Sequence, residues 1–132
     1  MTLLASNVEV MRLPEVMSAK RTRIFLAEMA RRMSVDRPCI VLDCSNVREM
    51  DRSVVHLLLR CLEESIKRNG DVKLAAVPKA ARAILELTGV SRLFEMFETN
   101  AEAMISFHQL PTVPALQITA PNRSYRVDEN TA

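Results

Sequence analysis

In Asp51-Arg52-Ser53-Val54, side chains of reactive type stand close together in this sequence. Ser53 precedes His56 by three residues, which on a helix would put a hydroxyl and an imidazole on one face, as a nucleophile and a base require. Nucleophilic catalysis also needs an oxyanion donor and a third group to orient the base, and neither has a candidate here. His56 therefore reads as a surface or helix-packing histidine. The other chemistry open to Ser53 is to accept a phosphoryl group. Asp51 could then cap the helix or orient the acceptor, and Arg52 could pair with the phosphate. A serine at a helix start can also simply satisfy a terminal amide, so acceptor and cap both stay open for Ser53.

The remaining reactive residues are scattered. Cys39, Cys44 and Cys61 are an odd set without CxxC spacing, and Cys39 and Cys44, five apart, would fall on opposite faces of a strand. Buried, reduced thiols in a cytoplasmic protein are the simplest reading. His56 and His108 lack metal-ligand spacing, and two glycines, Gly70 and Gly89, cannot build a phosphate-cradling loop. No metal, cofactor or catalytic activity is expected. The methionines read as core filler and adaptable surface.

At 132 residues with 48% hydrophobic content, the chain can build one core and not two. Its net charge of +2 sets up no strong field for nucleic acid or anionic membrane. The basic region from Lys20 to Arg37 has few aromatic stacking partners, so direct nucleic-acid binding is not expected. Charged residues interrupt every apolar run before the roughly twenty residues a bilayer span requires, and the first residues do not resemble a signal peptide.

These residues need a scaffold. Asn7 to Leu13 alternate weakly as a strand ended by Pro14. Ala19 to Met33 repeat Phe25, Leu26, Met29 and Met33 at helical spacing behind Ser18 as N-cap, with Lys20, Arg21, Arg23, Arg31 and Arg32 on faces read as solvated. After Pro38, the run Cys39 to Cys44 is apolar and nearly without alternation, as in a strand covered on both faces. Ser45-Asn46 turns the chain, with Val47 and Met50 as apolar plugs. Val55, Leu58, Leu59, Leu62 and Ile66 then mark a long helix stopped by Asn69-Gly70. A strand over Val72 to Val77 and a helix over Lys79 to Thr88 follow, with Ile84 and Leu85 inward and Gly89 as the stop. Val90 to Phe97 offers a short turn and an edge strand. Thr99 to Glu102 matches a capping box ahead of Ala103, Met104 and Phe107. The right-handed crossover rule puts the helices of successive parallel units on one face. Beyond His108, Pro111, Pro114 and Pro121 break any periodicity, which predicts a mobile extension over 109–132. Leu116, Ile118, Tyr125 and Val127 could still form short strands there.

The Cys39 to Val47 run, Met50-Asp51-Arg52-Ser53, the leucine-rich helix, Asn69-Gly70, the Val72 to Val77 strand, Leu85-Glu86-Leu87-Thr88-Gly89-Val90 and Leu93-Phe94 together resemble a STAS domain. More narrowly, they are similar to bacterial anti-sigma factor antagonists, over roughly Val8 to Phe107. The resemblance implies an α/β, STAS-like domain within 1–108, with a mixed sheet of about four strands and helices packed against it. It also implies partner switching: an unmodified serine or threonine at a helix N-terminus lies in the docking surface, and the partner kinase, itself the anti-sigma factor, phosphorylates it and abolishes binding. The family motif Asp-Ser-Ser/Thr-Gly places the acceptor at Ser53, with Arg52 in place of the first serine and Val54 in place of the glycine. The implied partner-binding residues are Met50, Asp51, Arg52, Ser53, Val54 and Leu57. The implied partner is an anti-sigma factor of the histidine-kinase-like ATPase type, with a STAS homo-oligomer as a further assembly. The alternative is a STAS scaffold or signalling-complex subunit that accepts no phosphate and uses Val54 as a permanent apolar contact.

Overall fold

A computed structural model of the protein describes residues 8–108; 1–7 and the extension over 109–132 lie outside the described residues. The elements run β1 (Val8–Arg12), α1 (Ala19–Arg32), β2 (Cys39–Asp43), α2 (Arg52–Lys67), β3 (Asp71–Ala75), α3 (Lys79–Leu87), a 3-10 turn (Val90–Leu93), β4 (Met96–Phe97) and α4 (Asn100–His108).

The four strands lie in chain order, β1-β2-β3-β4, and every pair is parallel. The mixed sheet expected from the resemblance is thus replaced by a parallel one. A helix follows each of the first three strands and carries the chain back across the sheet, so each next strand enters in the same direction. α1, α2 and α3 pack on one face, where Phe25, Met29, Leu57, Leu58, Cys61 and Leu85 meet Met11, Ile40, Leu42, Val72 and Leu74. α4 packs on the other face, where Ala103, Met104 and Phe107 cover Val8, Val10, Val41 and Ala75. β2 is covered on both sides, with Ile40, Val41 and Leu42 fully buried, which explains its unalternating apolar sequence.

Local signals set most boundaries. The Ser18 Oγ accepts from the Arg21 N–H at 3.1 Å and caps α1. In the Asn69-Gly70 stop the left-handed residue is Asn69, at φ 58°, and not the glycine. Gly70 is required for space: a Cβ there would lie 2.2 Å from the Pro38 carbonyl oxygen. β3 ends two residues short of Val77, because Ala76 turns into the left-handed region at φ 57°. Of the α3 neighbours Ile84 and Leu85 only Leu85 is buried and Ile84 is 39% exposed, since adjacent helical residues stand about 100° apart and cannot both face the sheet. The Thr99 Oγ1 accepts from the Glu102 N–H at 3.1 Å, while the Glu102 carboxylate reaches one residue further back, to the Glu98 N–H at 3.2 Å.

Candidate functional site

The loop after β2 is held from below. Asp43 ends the strand with only 3% of its surface exposed. Its carboxylate accepts from the Asn100 Nδ2 at 2.9 Å, the Ser45 N–H at 2.9 Å and the Arg12 Nε at 3.3 Å. One side chain thus joins β1, the loop and the start of α4. Burial pushes this carboxyl up, and the Asn100, Ser45 and Arg12 hydrogen bonds outweigh it, leaving the pKa below its ordinary value. Next, the Val47 N–H bonds back to the Cys44 carbonyl at 3.0 Å, and Val47 and Met50 are buried plugs, 4% and 6% exposed. Arg48 fastens the outside of the loop to Glu15 at 3.4 Å.

α2 then starts with Asp51 as its cap: the Asp51 Oδ1 accepts from the Val54 N–H at 3.0 Å. This separates two roles the sequence left open, because the terminal amide is satisfied by the aspartate. Ser53 is exposed, and its hydroxyl has no hydrogen-bond partner among the described residues. Arg52 is exposed beside it. Val54, 5% exposed, points into the core, so its branched side chain leaves the approach to Ser53 clear. Leu57, 1% exposed, continues that inner stripe. Burial of such side chains stabilises by about 1.5–3 kcal/mol each, so they hold α2 and hence the angle at which Ser53 is presented.

The six residues singled out from the sequence therefore divide into two layers. Asp51, Arg52 and Ser53 are on the surface; Met50, Val54 and Leu57 support them from inside. The permanent apolar contact imagined for Val54 in the scaffold reading is made within this chain's own core.

Ser53 also opens onto a groove between α1 and α2 of about 410 Å³, lined by Ser18, Thr22, Arg23, Ser53, His56 and Arg60 among others. The pairing of Ser53 with His56 was readable from helical spacing, and Arg60 extends it one turn further along α2. Ser18, Thr22 and Arg23 were not, since they join it only by the packing of α1 beside α2. The cysteines have no part in the site. Burial pushes the Cys44 and Cys61 thiols up to about 12, while Cys39 is only partly covered and its thiol is raised by the same cause. Among the described residues there is no cluster of three His, Cys, Asp or Glu that could hold a metal ion, and no helix is long and apolar enough to cross a membrane.

Fold and site define a small parallel α/β domain that presents, after a fixed loop, a capped helix start with an exposed hydroxyl in its first turn. The STAS domain family model matches residues 5–103, and the chain belongs to that family. Solved structures agree on the fold. An anti-sigma-factor antagonist (STAS) domain protein from Planctomyces limnophilus is 16% identical, with a TM-score of 0.66 over 76% of this chain and 90% of that one. The STAS domain of a SulP transporter from Vibrio cholerae is 16% identical, with a TM-score of 0.64 over 79% and 83%. A sulfate transporter family protein from Wolinella succinogenes is 14% identical, with a TM-score of 0.66 over 81% and 89%. No curated protein matches the sequence.

Proposed function

We infer that this STAS domain is an anti-sigma factor antagonist, whose surface at Asp51, Arg52 and Ser53 docks an anti-sigma factor of the histidine-kinase-like ATPase type. Phosphorylation of Ser53 by that partner ends the complex. The observation that carries this reading is the division of labour at the start of α2: Asp51 makes the cap bond, which leaves the Ser53 hydroxyl exposed and without a structural duty.

A phosphoserine adds about 1.5–2 negative charges and three acceptor oxygens to a surface shaped around a neutral hydroxyl. The positive end of the α2 dipole, Arg52 and the groove cations Arg23 and Arg60 can bear that charge, so the domain stays folded. A partner fitted to the neutral surface loses its contact. The domain itself needs only to present the oxygen; the kinase supplies the phosphoryl donor and the base.

Affinity purification from native cells tests this, using the wild-type protein, Ser53→Ala and Ser53→Asp, with mass spectrometry of partners and of phosphate on Ser53. A kinase-like ATPase held by the first two and lost from Ser53→Asp is the expected result. A Ser53→Asp protein that keeps every partner as fully as wild type overturns the switch.

A further inference from the structure

We propose that the outer edge of β1 receives an extended acidic segment of a partner protein as a fifth, edge-added strand, at a place separate from Ser53. β1 is an outer strand of the sheet, paired only with β2 among the described residues. Its hydrogen-bonding direction follows from one bond: the Leu13 N–H donates to the Asp43 carbonyl at 2.9 Å. In a parallel ladder, alternate residues face the same neighbour, so Glu9 and Met11 turn their backbone groups to β2 with Leu13. Val8, Val10 and Arg12 turn theirs outward, a row of donors and acceptors with no strand partner among the described residues, which an extended chain can pair with.

The outward edge opens on a groove of about 710 Å³, lined by Val10 and Arg12 of the strand and by Lys20, Arg21, Ile24, Glu28 and Arg32 of α1, among others. β1 has five residues, about 17 Å of strand, which is enough to seat a segment of similar length. Ile24 is 59% exposed and supplies an apolar contact for alternate side chains of such a segment.

Charge names the occupant. The ion pairs of α1 all lie in its second half, between Glu28 and Arg31 or Arg32 and between Arg32 and Glu9. Among the described residues none involves Lys20 or Arg21. The first turn of α1 contains no acidic residue, so these cations stand at the positive end of the helix dipole, where they repel it. An acidic segment gains from both. A second copy of this edge carries the same cations and is repelled. In composition the terminal pieces offer no net acidic charge: 1–7 has no acidic residue, and in 109–132 Asp128 and Glu129 are matched by Arg123 and Arg126.

The test uses the full chain and a fluorescein-labelled peptide of alternating Glu and Val, with a Lys-Val peptide and a single-stranded oligonucleotide for comparison, read by anisotropy at low salt. The acidic peptide is expected to bind, and to slow amide exchange at Val10 and Arg12 by at least about tenfold, since those N–H groups become paired. Val10→Pro removes an outward donor without touching the bonds to β2, and Lys20→Glu/Arg21→Glu reverses the charges; each is expected to weaken binding by about tenfold or more. If Val10→Pro fails to fold, the charge variant and the exchange measurement decide. Ser53→Asp is expected to leave this binding unchanged, which separates it from the switch. Absence of acidic-peptide binding overturns the proposal. So does binding without protection at Val10 and Arg12, equal binding of the oligonucleotide, or occupation of the edge by a second copy alone.

Discussion

The Lys73 ammonium lies 4.2 Å from the ring centroid of Phe107, between the sheet and α4. Lys73 is 7% exposed, and its Nζ also donates to the Ser106 Oγ at 2.7 Å and pairs with Glu95 at 3.1 Å, with Phe97 at 5.6 Å. A cation on a strand interior is therefore fully partnered, and the partners fasten α4. Phe107→Ala uncovers the charge and deletes the ring, and should cost about 2–3 kcal/mol in a urea unfolding series. Lys73→Met keeps the volume, and the exposed Glu95 rehydrates, so its change should stay within about 1 kcal/mol. A larger loss from Lys73→Met than from Phe107→Ala would show that the charge and not the ring holds the helix.

Asp43 should give the domain an acid limit. Its carboxyl is raised by burial and lowered further by the hydrogen bonds from Asn100, Ser45 and Arg12. A carboxyl depressed in the folded state stabilises fully above its unfolded pKa of about 3.9, and this contribution is lost as pH falls through the lower folded value. Asp43→Asn should be about 1–3 kcal/mol less stable at pH 7. The difference from wild type should shrink below about pH 4, measured by denaturant midpoints across pH. A constant difference down to pH 2 would contradict the assignment.

Cap and acceptor should separate in a stability measurement. Asp51→Ala removes the bond to the Val54 N–H and is expected to cost about 1 kcal/mol. Ser53→Ala should stay within about 0.5 kcal/mol of wild type, because its hydroxyl supports nothing in the fold. Thermal unfolding of the two variants checks both.

Thiol modification should be selective. Cys39 is partly exposed, whereas Cys44 and Cys61 are buried with pKa values pushed up to about 12. An aromatic disulfide reagent should titrate Cys39 first in the native protein and reach the other two only on unfolding. Cys39→Ser should abolish the native phase.

Gly70→Ala should be costly although the residue is not in the left-handed region. The added carbon would fall 2.2 Å from the Pro38 carbonyl oxygen, which accepts the Asp71 N–H at 2.8 Å and starts the β2–β3 pairing. A loss of about 1–3 kcal/mol is expected from overpacking. Asn69→Gly should be neutral or stabilising, since Asn69 is the left-handed residue.

Much of this architecture was legible in order along the chain. Ser18, Asp51 and Thr99 are caps whose partners lie within three residues, so short-range sequence suffices to place them. The unalternating Cys39 to Cys44 run marked the central strand because burial on both faces removes the need for polar residues. Spacing is silent where neighbours in space decide: Ile84 and Leu85 are equally apolar, and only the position of the sheet turns Leu85 inward.

By itself, the sequence determined the kinds of element, their order, the caps and the family likeness, because each depends on local periodicity or on a pattern read along the chain. The tertiary structure alone decided that the sheet is parallel throughout and that Val54 turns inward while Ser53 stays free. It alone placed Arg23 with Ser53 and, among the described residues, left the outer edge of β1 without a strand partner beside Lys20 and Arg21. These are relations between residues far apart in the chain, set by how helices cross the sheet, and helical or strand spacing carries no record of them.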